Sequence, residues 1–219
     1  MAGLQVVTEA ADYPVSLTRV KDHLRLSDQT DDTLVRGLII AATKQVEEMT
    51  QRTLMNTTYN LFIDYVHETD YPLWEGTRVG PDIAYRQNFI ELPRAPLVSV
   101  THVKSYDDSD TATTFDSSKY FVDTANTPPR IVLRDGQSWP TGLRAANGLE
   151  IQYVAGYGSN DTDVPEPIRL AIMQIITANY EYRGDEEAKI PSIVNSLLAP
   201  YKVMSLNSTP FNNIVQKVW

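Results

Sequence analysis

The stretch that most constrains the fold is Asp163 to Gly184, DVPEPIRLAIMQIITANYEYRG. It predicts a helix with marked ends. Asp163 and Glu166 have capping-box spacing, Pro165 and Pro167 suit a first turn whose N–H groups lack partners, and Gly184 supplies a stop. Ile168, Ala171, Ile172 and Ile175 form one apolar stripe, while Leu170, Met173, Ile176 and Tyr180 cover much of the remaining circumference. Such a helix needs burial nearly all round. Its apolar segment is far shorter than the roughly 20 residues a bilayer span requires, so it belongs in a protein core or between subunits.

A chain of 219 residues with 42% hydrophobic content can bury a sizeable core around that helix. Cysteine is absent, which excludes disulfides, thiolate metal sites and cysteine nucleophiles and suits a reducing cytoplasm. The first residues, MAGLQVVTEAADYPVSL, lack the basic start and apolar run of a secretory signal, and no membrane segment is expected. The formal charge is −9 with acids and bases interspersed, so the chain has no basic run for gripping phosphates. An acidic wall is compatible with DNA passing by without sticking.

Upstream, Ser16 caps an expected helix to about Arg25, and Asp31 or Asp32 opens a longer one to about Gln51. The apolar face of the second is Leu34, Val35, Leu38, Ile39, Ala42, Val46 and Met49. Gly37 inside it costs about 1 kcal/mol relative to alanine, which suggests a close backbone neighbour. The short connector makes these two helices an antiparallel pair. From Leu61 the period becomes strand-like, and LFIDYV, FIEL, LVSVTHVKSY, KYFV, RIVL and LEIQYVA give about six short strands. A bulge or a strong twist is expected near Thr101, because Val98 and Val100 are out of phase with Val103. Tyr106 to Asp116 reads as an exposed hairpin tip. IPSIVNSLLAPY reads as a short final helix.

The fold class is therefore α+β: an antiparallel helical bundle interrupted by a mostly antiparallel β insertion, with an extended C-terminal tail. The divisions fall at residues 1–56 for the N-terminal helices, 57–160 for the β insertion, 161–201 for the C-terminal helices and 202–219 for the tail. Within the long helix, Ile168, Ile172 and Ile175 are expected inside the subunit, and Met173 and Tyr180 nearer the β unit or a neighbouring subunit.

Catalytic signatures are missing. His23, His67 and His102 have no metal-ligand spacing, and the run Asp107-Asp108-Ser109-Asp110 lacks the glycine and distal glutamate of a calcium loop. Gly156-Tyr157-Gly158 lacks the third glycine of a dinucleotide turn and reads as a bend. No enzyme, cofactor or metal is expected. What stands out is an all-round apolar helix, a loop from His67 to Asn88 carrying Tyr71, Trp74 and Tyr85, and an acid-free tail from Lys202. That tail ends in Phe211, Ile214, Val215, Val218 and Trp219. Together they favour a protein that completes its burial in an assembly.

The segment SLTRVKDHLRLSDQTDDTLVRGLIIAATKQVEEMTQRTL resembles the opening of the head-tail connector (adaptor, or head completion) family of tailed bacteriophages. The shared features are a short helix ending in H-L-R, an acidic D-D turn, and a long helix ending near V-E and T-x-R-x-L. VPEPIRLAIMQIITANYEYRGD is similar to the closing signature of that family, and LPRAPLVSVTHVKSYD and IQYVAGYG resemble the β insertion of its longer members. The resemblance implies a structural virion protein of the neck, between capsid and tail, made in the host cytoplasm. It also implies a homo-oligomeric ring, commonly dodecameric, beneath the portal protein. Such a ring extends the channel through which DNA leaves and docks a tail or neck completion protein. On this reading Phe211, Ile214, Val215, Val218, Trp219, Met173 and Tyr180 are candidates for portal or inter-subunit contact, and Tyr71, Trp74 and Tyr85 for a partner loop. The alternatives are another neck or tail-completion ring component, or a monomeric β-rich binding module with an aromatic ligand surface.

Overall fold

A computed structural model of the chain describes residues 2–64, 88–182 and 190–203. The fold is α+β. Helix α1 (Leu17–Leu24) starts where Ser16 Oγ accepts the Arg19 N–H at 3.3 Å, and ends where Arg25 turns left-handed at φ 57°. Helix α2 (Asp32–Thr50) ends the same way at Gln51, φ 55°. Asp31 precedes α2 as expected, but its side chain makes no capping bond; it accepts a hydrogen bond from the Tyr180 hydroxyl instead. The long helix, α3 (Glu166–Glu181), starts later than the sequence pattern suggests. Asp163 spends its carboxylate on the Asn160 N–H at 3.0 Å, within a 3₁₀ turn at Asp161–Asp163, so the helix begins only after Pro165. Gly184 lies outside the described residues. Helix α4 (Ser192–Leu198) runs into a 3₁₀ turn at Ala199–Tyr201.

These helices share one core. Val35, Ile39, Ala42 and Val46 of α2 meet Ile168, Ala171, Ile172, Ile175 and Ile176 of α3, and Val20 of α1 with Val194 and Leu198 of α4 close the cluster. Both α2 and α4 pack on α3, with no comparable contact between the two, so they flank it.

Eight strands are described, where about six were expected. The six sequence runs become β2 (Thr57–Ile63), β3 (Phe89–Glu91), β4 (Leu97–Tyr106), β6 (Tyr120–Asp123), β7 (Arg130–Leu133) and β8 (Leu149–Ala155). The additions are β1 (Ala2–Thr8), ahead of the first expected helix, and β5 (Ala112–Thr114), in the hairpin tip. Both are edge strands held by backbone pairing, β1 to β2 and β5 to β4, so neither needs an alternating apolar face to form. Residues 2–8 thus belong with the sheet, although they precede both N-terminal helices.

The strands form two antiparallel sheets, ordered β1-β2-β8-β4-β5 and β3-β7-β6. In β2 and β8, Tyr59, Leu61, Ile63, Leu149, Ile151 and Tyr153 alternate inward and join Ile90 and Ile131 of the smaller sheet in a second core. The register of β4 against β8 slips between Val100 and His102, as the phase change near Thr101 predicts. Gly156 makes the expected bend at φ 142°, and a Cβ there would lie 2.6 Å from the backbone of Met55 and Asn56.

The mid-helix glycine has no such explanation. Gly37 is exposed, and a Cβ added there would meet nothing within 4 Å. Gly37→Ala is therefore expected to stabilise the isolated subunit by about 1 kcal/mol, read as a rise in the urea midpoint at unchanged slope.

Candidate assembly surfaces

The segment from Glu47 to Asn56 joins the helical core to the sheets. Glu47 is buried, and its Oε1 accepts the Leu54 N–H at 3.0 Å, so the carboxylate satisfies a backbone donor just beyond the end of α2. Arg94 donates to the Glu47 carbonyl at 3.3 Å and pairs with the Glu48 carboxylate. The same place fixes the root of the tail. Arg52 Nε donates to the Tyr201 carbonyl at 2.6 Å, and the Val203 N–H donates to the Thr50 carbonyl at 3.0 Å. Phe211, Ile214, Val215, Val218, Trp219, Tyr71, Trp74 and Tyr85 lie outside the described residues. Met173 is 5% exposed within the helical core, and Tyr180 packs against that core and donates its hydroxyl to Asp31. Both are engaged within the subunit.

A groove of about 580 Å³ opens where the start of α1, the middle of α2 and the turn before α3 converge. Val15 and Ile39 form its buried floor, and Tyr13, Arg36, Ile40 and Asp161 line its rim. Tyr13 is 46% exposed and Ile40 42%; Leu34, elsewhere on α2, is 40% exposed. The sequence signal for this surface was Ile40 itself, an isoleucine lying off the apolar face of α2. Leu34, assigned to that face by spacing, is not drawn into the core.

The outer face of the larger sheet is polar and cross-linked. Glu150 accepts from His102 Nε2 at 2.9 Å and from the Tyr106 hydroxyl at 2.7 Å, and Gln152 donates to Asn60 at 3.0 Å. Burial opposes ionisation of Glu150, yet these two hydrogen bonds together with the nearby His102 and Lys104 charges outweigh it and hold the carboxyl below its ordinary value; the bond to Glu150 raises Tyr106. In the acidic hairpin, Asp107 accepts the Ser109 and Thr111 N–H groups at 2.9 Å, and Asp110 pairs with Arg144 at 2.7 Å. These acids shape a turn. Among the described residues no three potential ligands converge on a metal position, and no helix is long and apolar enough to cross a membrane.

The chain belongs to the phage gp6-like head-tail connector protein family, whose model matches residues 14–124, just over half the chain. The match runs from before α1 to just past β6, so it includes the opening motif and excludes α3. The fold is shared with solved structures of gene transfer agent particles. A chain in the neck of the empty particle, computed with C6 symmetry, superposes with a TM-score of 0.75 at 20% identity, covering 94% of this chain and 98% of that one. Chains from the virion of the native particle and from its neck computed with C12 symmetry give 0.72 and 0.71 at 19% and 20% identity, with the same coverage. No curated protein matches the sequence.

Two outcomes are expected. Glu47→Ala orphans the buried Leu54 N–H and is expected to lower unfolding free energy by about 1–3 kcal/mol in chemical denaturation. Glu150 has a depressed folded pKa, so its contribution to stability is present above the unfolded value and lost as pH falls through the folded one. Glu150→Gln is expected to flatten the fall in melting temperature on acidification below about pH 4.5, the ordinary glutamate value.

Proposed function

We propose that the chain is a structural, non-catalytic head-tail connector of a tailed-phage-type virion, forming a ring beneath the portal. The observation that carries this reading is the family match over both N-terminal helices and much of the β region, joined to a fold shared over nearly the whole chain with neck proteins. The symmetries of the related necks favour a ring of twelve, since a twelve-fold ring also satisfies six-fold averaging.

In this reading α1 to α4 make the antiparallel helical bundle that carries the ring, with the sheets as its insertion. The ring extends the DNA channel and docks the next neck or tail component. The charge of −9 without a basic run supports a lining along which DNA slides. The tail, rooted beside the end of α2, is assigned to the portal or an adjacent subunit for its apolar, acid-free end. Synthesis takes place in the host cytoplasm and residence is in the virion neck.

Electron microscopy of the purified protein with and without its portal tests the reading. Rings, or caps on portal particles, are the expected result; monomers indifferent to portal at high concentration refute it. Deleting Asn207 to Trp219 is expected to reduce portal capture at least tenfold in a pull-down while leaving the melting temperature within a few degrees.

A further inference from the structure

Two features are unfavourable in the isolated subunit, one in the middle of α2 and one at the end of α3. The first is Gly37, exposed in the middle of α2 with open space around it. At about 100° per residue it falls between Ile40 and Ala41, both exposed. The second is Glu181, an exposed carboxylate in the last turn of α3, where unpaired carbonyls already make the helix end negative. Neither Glu181 nor the exposed Arg36 makes an ion pair with a described residue, although Asp12 and Asp161 also line the groove beside Arg36.

Exposed apolar side chains gather at the same two places. Tyr13 and Ile40 line the groove on the α2 side; Tyr182, Ile190 and Ile193 stand at the end of α3 and the start of α4. Residues 190–201 carry no charge at all, in a chain that is 21% charged. Depletion of charge with apolar side chains left outward is the composition of an interface core. Because α2 and α4 flank α3, a contact between the two on separate copies uses two different patches, the head-to-tail arrangement that closes into rings.

We propose that the groove on α2 of one copy receives the Ile190–Ile193 face of a second copy, with Arg36 of the first facing Glu181 of the second. This inference rests on the ring reading and assigns its subunit contact. Gly37 then has a use: without a Cβ it lets the neighbouring chain approach the α2 backbone. Arg36 supplies a cation to the negative end of the neighbour's α3.

The chain has no cysteine, so a paired substitution reports the contact directly. Oxidised I40C/I193C is expected to run as a ladder of covalent multimers on a non-reducing gel, while either single variant gives none. Arg36→Glu is expected to cut ring formation at least tenfold by sedimentation velocity, and adding Glu181→Arg to restore it, with circular dichroism unchanged throughout. If wild-type rings form, but the cysteine pair gives no ladder and Arg36→Glu assembles normally, this contact is overturned and the ring reading stands. If the wild type forms no ring, alone or with portal, both fall.

Discussion

A single buried carboxylate sits where the two halves of this subunit meet. Glu47 leaves α2 with its side chain turned to the Leu54 N–H, and the intervening turn is thereby fixed against the helix it has just left. Around that turn the backbone is tied in every direction. The Thr53 N–H reaches Ala95, the Tyr157 N–H reaches Leu54, and the Asn56 N–H reaches Gly158. Thr53 also bonds the Tyr59 hydroxyl at 2.8 Å, and Tyr153 donates to the Pro93 carbonyl at 2.8 Å. Removing a partner from such a network strands buried polar groups, so its members stabilise one another beyond any pairwise contact. The helical layer and the sheets are consequently coupled through hydrogen bonds as well as apolar burial.

This arrangement divides α2 into two functions along its circumference. One side carries the core, from Val35 to Val46, and ends in the junction; the other presents Leu34, Gly37, Ile40 and Ala41 outward. The core side explains itself in the subunit. The outward side does not, because nothing in the fold rewards an exposed glycine flanked by exposed aliphatics. The polar face of the larger sheet is different again, since its side chains satisfy one another through Glu150 and Gln152.

Local chemistry was legible wherever one residue type performs one task. Ser16 as a cap, Gln51 as the limit of α2, the bulge in β4 and the bend at Gly156 all follow from spacing and backbone preference. The later start of α3 did not, because the carboxylate of Asp163 is taken by the Asn160 N–H. Strands β1 and β5 were invisible for a related reason: an edge strand is defined by its partner's backbone, and AGLQVVT and ATT carry little pattern of their own. Tyr180 read as an outward candidate because helical spacing places it off the main stripe, yet a hydroxyl reaching Asp31 is a tertiary fact that spacing does not encode. The groove has no linear signature because its walls come from three separate segments, and Ile40 alone marks it.

The sheet order has a consequence for how the chain is born. Strand β8 lies between β2 and β4, and α2 buries its core face against α3. On a ribosome that emits the N-terminus first, α2 and β2 therefore emerge long before the segments that cover them. The sheet core cannot close until synthesis has passed Ala155, nor the helical core until it has passed Leu198, and apolar faces left open that long are the usual substrates of chaperones.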